Sequence, residues 1–365
     1  MAENVLRFSR KDSKDFIRTL NKRVNNYFKE NNIPKTGNIQ LYVKTAVMLS
    51  LLILPYVAMF MFEFSAWYKL GLCVIMGIGM AGVGMNVMHD GNHGSYSKKK
   101  WLNKLMGGTI YVLAGNVYNW QVQHNVLHHT FTNVHGHDED LDAGRIIRFS
   151  ESAKWRKIHR FQHIYSIFLY GLLTLNWAIT TDFTQTHNYL KRKLAYGKLP
   201  SAFKQWSSVA ISKIAYAMVW IVLPIIFTEL SWWMVIIGFI VMHYTAGLIL
   251  SIVFQLAHVI KDTEMPIPDD AGKFEHAWVI HQLYTTTNFS TKNKFISWFT
   301  GGLNHQIEHH IFPNISHIHY TKIREIVKRT TQEFNLPYHE YKHMRHAVKS
   351  HFSYLKSMGQ KPELT

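Results

Sequence analysis

A chain of 365 residues with 47% hydrophobic residues is long enough for one large domain or two small ones. Its net charge of +17 is spread among apolar segments without a nucleic-acid motif. That disfavours nucleic acid and leaves anionic lipid headgroups, an acyl-CoA phosphate or an acidic electron carrier as partners. A single cysteine, Cys73, permits no disulfide framework within the chain and no cysteine-built zinc or iron–sulfur site, whereas 23 histidines, as many as Asp and Glu together, point to metal.

The first 40 residues are polar and basic and lack the short apolar core of a signal peptide. Val5, Phe8, Phe16, Ile17, Leu20 and Val24 recur near helical spacing, which predicts an amphipathic helix on the membrane surface. Two apolar runs follow, 46–62 and 70–88, each long enough to cross a bilayer. The connection Glu63–Lys69 is so short that they form a hairpin. Pro55 is placed to kink the first run, and Gly77, Gly79, Gly82 and Gly84 permit close helix contact in the second. The middle block, 89–209, holds two shorter interrupted stretches, 105–117 and 164–179, expected to be interfacial or re-entrant. Runs 210–228 and 232–257 make a second hairpin around Glu229-Leu230-Ser231.

The two turns contain one basic residue, Lys69, and the remaining blocks contain nearly all the others. By the positive-inside rule, both termini and the middle block face the cytoplasm. The expected fold is an all-α membrane protein: four transmembrane helices in two hairpins, with a cytoplasmic helical cap. Its divisions are a cytoplasmic amphipathic segment (1–40), a membrane domain (41–320) and a cytoplasmic tail (321–365).

Histidines cluster three times: His89 and His93 in HDGNH, His124, His128 and His129 in HNVLHH, and His305, His309 and His310 in HQIEHH. Residues four apart share a helix face, so a pair such as His89 and His93 can hold one ion. Neighbours such as His128 and His129 point about 100° apart in a helix and can serve two ions. Eight histidines exceed one tetrahedral zinc site. They suit two ions that favour imidazole, and iron fits oxygen chemistry best. His305-x-x-Glu308-His309 also has the spacing of an inverted zinc-peptidase motif, but that reading leaves the other clusters without a purpose.

The three boxes HDGNH, HNVLHH and QIEHH, separated by two membrane hairpins, resemble the membrane fatty acyl desaturase family over roughly residues 40–320. Gln306 at the head of the third box, and Asn133–Asp142 (NVHGHDEDLD), resemble the front-end, delta-6-like subgroup, which acts between an existing double bond and the carboxyl end. The resemblance implies two irons with O2 as co-substrate, held by His89, His93, His124, His128, His129, His258, His309 and His310. His258 comes from FQLAH at the cytoplasmic end of the fourth span, and His305 is left as a supporting candidate. Gln306 is the catalytic candidate, expected to hold a water or the substrate. The substrate is an acyl-CoA or acyl-lipid. No fused cytochrome b5 domain is recognisable in the 40 leading residues. The expectation is therefore a separate donor, ferredoxin or cytochrome b5, and a multi-pass protein of a bacterial inner membrane with its active site in the cytoplasm.

An unactivated methylene C–H bond lies beyond acid–base groups, which is why an oxidising metal site is needed. Asp90, Asp138, Asp140, Asp142 and Glu308 are candidates to hold ligand N–H groups. Tyr111, Tyr118, Trp120, Phe131 and Trp177 are candidates to line an acyl tunnel or to anchor at the interface. A membrane hydroxylase or alkane monooxygenase is the alternative in the same chemistry. A metal transporter fits less well, because only His243 and Lys213 are ionisable within the spans.

Overall fold

The computed structural model describes residues 6–9, 13–141 and 144–362. Val5, Arg10, Lys11 and Asp142 lie outside them. The chain divides into two compact units: Gly37–Val126 with Ile167–Ile252, and the described residues up to Thr36 with Leu127–Ser166 and those from Val253 on.

The first of these units carries the membrane helices except for the end of the last one, from Val253 on. Helix α2, Ile39–Met61, is capped by Asn38, whose side chain accepts from Gln40 N at 2.9 Å. Helix α3, Ala66–Asn92, starts behind Ser65 in the same way, and helices α8, Ala202–Phe227, and α9, Trp232–His258, form the second pair. (Helix α1 belongs to the other unit, and α4 to α7 are the shorter helices between α3 and α8.) Lengths of 23, 27, 26 and 27 residues exceed the roughly 20 needed to cross hydrocarbon. Large apolar side chains such as Leu54, Ile211, Ile214 and Ile226 stay exposed on their outer faces, as lipid-facing positions must. The helices begin earlier than the apolar runs by up to eight residues. An apolar run marks the hydrocarbon, whereas the helix continues through polar residues to its cap. Wide π-turns interrupt α3 at Gly84–Met88 and α8 at Met218–Val222, the latter just ahead of Pro224.

Between the hairpins, α4, Lys100–Gly107, runs into a tight turn Gly108–Leu113 and ends at Ala114 with φ 63°. Asn116 caps α5, Val117–Trp120. Farther on, Lys157–Tyr170, which includes α6, Gln162–Tyr170, meets α7, Leu173–Arg192, at a 70° bend. Neither interrupted stretch is a straight crossing. Lys213 and His243, the two ionisable groups singled out in the apolar runs, are locally paired. Lys213 Nζ lies 2.7 Å from Asp182 Oδ2, and His243 sits between Tyr216 Oη (2.8 Å) and Thr174 Oγ1 (3.0 Å).

In the other unit, α1, Lys14–Glu30, shows the expected amphipathic stripe. The difference lies in what covers it. Phe16, Leu20, Val24 and Phe28 are buried against Ile323 and Val327 of α13, Tyr320–Glu333, Leu283 of α10, Trp278–Thr285, and Ile307 and Ile311 of α12, Gln306–Ile311. The stripe seals a protein core, and each buried side chain contributes about 2 kcal/mol gross. Phe8 stacks on Phe274 at 4.9 Å. A two-residue parallel pair, Asn288–Phe289 with Glu340–Tyr341, ties the segment before α12 to the chain beyond α13. Helix α11 is Lys294–Phe299, and α14, Met344–Met358, closes the fold.

Candidate metal centre

The membrane unit brings three histidines together. His89 and His93 stand one turn apart at the end of α3, with ring centroids 4.6 Å apart. His124 lies in the π-turns Gln121–His128, its ring 5.3 Å from His89 and 5.2 Å from His93. Their donor nitrogens fall within 4.8 Å of one another. The indole of Trp120 stacks on His124 at 4.5 Å and 27° and meets both other rings edge-on. The remaining letters of HDGNH explain the packing. Asn92 Nδ2 donates to Gly107 O (3.0 Å), Asn92 Oδ1 accepts from Gln121 (3.1 Å) and Asn92 O accepts from Asn125 (3.1 Å). Gly91 is required because a Cβ there would sit 2.4 Å from Gly107 N. One box is thus fastened to the next by its own non-histidine residues.

The second unit holds the other five. His128, His258 and His310 bring one donor atom each within 4.8 Å of the others, with centroids 4.8–4.9 Å apart. Each ring is held through Nδ1: His128 by Asp138 (3.0 Å to both oxygens), His258 by Thr285 O (3.2 Å) and His310 by Gln282 Oε1 (2.8 Å). Oxygens of a carboxylate, peptide or amide only accept, so Nδ1 carries the proton and Nε2 keeps the lone pair. Burial works against a charge on His128, but Asp138 outweighs it and raises the ring's pKa. The same push strengthens the ring as a donor to metal.

His129, His309 and His310 form a further group. His129 Nε2 lies 3.1 Å from His309 Nε2, and the His129 ring stacks on His310 at 4.5 Å. His309 Nδ1 meets Tyr320 Oη at 3.2 Å. His128 closes the π-turns and His129 follows in a turn, which sends the neighbours to different partners.

These donors fit a metal. All eight histidines but His93 are buried, and the Nε2 of His258 is buried with no hydrogen-bond partner, a costly state for a polar atom unless a ligand meets it. All-imidazole donors suit a borderline transition metal rather than calcium or magnesium.

The remaining candidates divide. Gln306 is buried one turn before His310, and its Oε1 accepts no hydrogen bond. His305 joins none of the metal groups among the described residues. Its Nε2 faces Ser297 Oγ at 3.4 Å, and burial, helped by the charge of Arg324, lowers its pKa to about 3. Glu308 accepts from Asn288 Nδ2 (2.8 Å) and Tyr338 Oη (2.9 Å), and burial pushes its carboxyl up to about 7 against those bonds. It is a structural anchor here, which removes the peptidase reading of His305-x-x-Glu308-His309. Asp140 stands 3.9 Å from His128, and the Asp90 main-chain oxygen accepts from Ser95 and Tyr96 N. Trp120 and Trp177 share an apolar cluster with Met88 and Ile110, whereas Tyr118 bonds Leu194 O and Tyr111 is 37% exposed. Phe131 packs on Phe8 and His137.

Sequence reasoning missed α10. It supplies Gln282 to His310 and His281 Nε2 to Thr132 O (2.8 Å), and Thr285 at its end holds His258. It singled out the stretch that begins at Asn133 but not the role of that residue, whose Nδ2 bonds His258 O and Glu264 O, and it missed Asn288, whose Oδ1 receives Ile307 N at 3.0 Å and sets the start of the third box. No histidine or acidic spacing marks Gln282, Thr285 or Asn288.

Four membrane-length helices and buried imidazole groups braced from behind define a membrane protein with a metal site. The chain belongs to the fatty acid desaturase family: the model for "Fatty acid desaturase" matches residues 65–342. It is 36% identical to the sn-1 linoleoyl-lipid 6-desaturase of Arthrospira platensis, over 95% of this chain and 94% of that one. It is 33% identical to the protein of the same name from Synechocystis sp., over 97% and 98%. Against the acyl-lipid (8-3)-desaturase of Physcomitrium patens it is 33% identical, over 97% of this chain and 74% of the relative. The protein is thus a fatty acid desaturase, an oxidoreductase of lipid metabolism.

Proposed function

We propose that the protein inserts a cis double bond into the acyl chain of a membrane glycerolipid, between an existing double bond and the carboxyl end. The relatives' names, linoleoyl-lipid 6-desaturase and acyl-lipid (8-3)-desaturase, favour a lipid-bound chain over acyl-CoA and linoleate as the acyl group. The metal ligands proposed are His89, His93, His124, His128, His129, His258, His309 and His310. The observation that carries it is the triad His128, His258 and His310, each ring held through Nδ1.

Two irons with O2 and two electrons are the proposed cofactor and co-substrate, and they supply the oxidising power that C–H cleavage demands. The chain's own residues orient and shield. Asp138, Thr285 and Gln282 fix the tautomers of their rings. Trp120 lies flat on His124 and packs with Met88 in a buried apolar cluster. Gln306, a neutral amide and a poor ligand beside imidazole, holds a water or the substrate. Electrons come from ferredoxin or cytochrome b5. The membrane is a bacterial inner membrane in this reading, and the basic blocks support a cytoplasmic side for the histidines.

The test is a host supplied with linoleate, with double-bond positions read by gas chromatography–mass spectrometry. A new bond on the carboxyl side of the existing pair is expected, and linoleate returned unchanged from a well-expressed, iron-loaded protein contradicts the reading. His309→Ala loses iron and all product. Gln306→His keeps iron and alters the rate or bond position. A Gln306→His protein identical to wild type in both respects removes the role given to the amide.

A further inference from the structure

A cavity of about 370 Å³ lies among the turn-end halves of the four membrane helices, within the size range of small-molecule sites. Tyr56, Met59, Cys73, Trp220, Trp233 and Phe239 are among its walls. It is separate from the histidines: Cys73 lies on α3, roughly 25 Å along the helix from His89. Gly238 keeps it open, because a Cβ there would come within 2.9 Å of Cys73 Sγ.

Two observations decide its occupant. The cavity is open along part of its wall and is formed by bilayer-crossing helices, so the molecule at hand to fill it is a lipid chain; leaving it empty forfeits dispersion contacts along every wall. Lys69, in the first turn of α3, is half-buried in its lining and is the one basic side chain there, with no acidic side chain in that lining. Trp67 and Trp233, each the second residue of its helix, line the same end, as side chains at headgroup level do. An ammonium beside an apolar slot at that level complements a phosphate that bears an acyl chain.

We propose that this cavity binds one glycerophospholipid of the leaflet at the turn ends, with an acyl chain between the two hairpins and the phosphate on Lys69. The site lies outside the desaturation centre and tethers the hairpins through a lipid that is not the substrate.

Cys73, the single cysteine, reports on it. The detergent-purified full chain is labelled with an apolar maleimide, alone, with phosphatidylglycerol, or with hexadecane. Phosphatidylglycerol slows labelling severalfold more than hexadecane, and Lys69→Gln removes the difference. Native mass spectrometry finds one phospholipid retained per chain, lost in Gly238→Leu; Leu70→Trp fills the same space if Gly238→Leu does not fold. Equal protection by hexadecane, no protection by either, or a Lys69→Gln protein that still prefers phospholipid overturns the proposal.

Discussion

At the scale of single residues, seven of the eight histidines gathered into metal groups were legible because they stand in clusters of one donor type at short spacing; His258 lies outside the clusters and came from the family resemblance, and His305, inside the third, joins no metal group among the described residues. What braces them was less legible. Asp138 could be chosen only as one of five nearby acids, and Gln282, Thr285 and Tyr320 are ordinary residues far away in sequence. The bracing is testable. Asp138→Asn keeps the shape beside His128 but loses the carboxylate that strengthens the ring, so metal affinity falls by about 10- to 100-fold. A chelator competition on purified protein measures this, and an unchanged affinity shows that Asp138 serves only its bonds to Asn133 N and Asp140 N.

At the scale of elements, the four spans were legible as apolar runs. Their ends were not, because caps and not hydropathy stop a helix. The π-turns of α3 and 121–128 were also invisible, since apolar periodicity does not distinguish one widened turn. The stripe of α1 was plain in the sequence, yet its partner was not: the same pattern fits a bilayer or a protein groove, and α13 lies 300 residues away. Close packing yields a sharp contrast within α3. A Cβ at Gly79 would lie 2.6 Å from Leu52 N, whereas one at Gly71 meets nothing within 4 Å. Gly79→Leu therefore destabilises the hairpin by about 3 kcal/mol or more and Gly71→Leu leaves it intact, as read by thermal aggregation in detergent.

Glu340 is a second test at this scale. Burial alone would raise its carboxyl, but bonds from Lys328 (2.8 Å) and Thr291 and the Arg324 guanidinium (2.7 Å) bring it down to about 2. A depressed carboxyl stabilises the fold fully above its ordinary value near 4.5 and loses that contribution as pH falls toward 2. Glu340→Gln lowers stability at pH 7 by about 2 kcal/mol, and the gap to wild type narrows below pH 4.5. A gap independent of pH would mean that charge is not what holds this segment.

At the scale of the whole molecule, the topology we propose from the basic blocks and short turns has the histidine-bearing segments on one side of the membrane and Glu229 on the other. In a Cys73→Ser background, single cysteines at Lys98 and Glu229, both exposed, are labelled from opposite faces of sealed vesicles; labelling from the same face overturns the topology. The central claim, an iron-dependent desaturase acting on lipid-bound linoleate, is tested most directly by mass spectrometry of membranes carrying the protein, supplied with linoleoyl lipid, O2 and a reducing system. The account predicts a product two hydrogens lighter, absent from the His310→Ala protein, with about two irons per chain in the active preparation. A product heavier by one oxygen, or full turnover with zinc in place of iron, contradicts it.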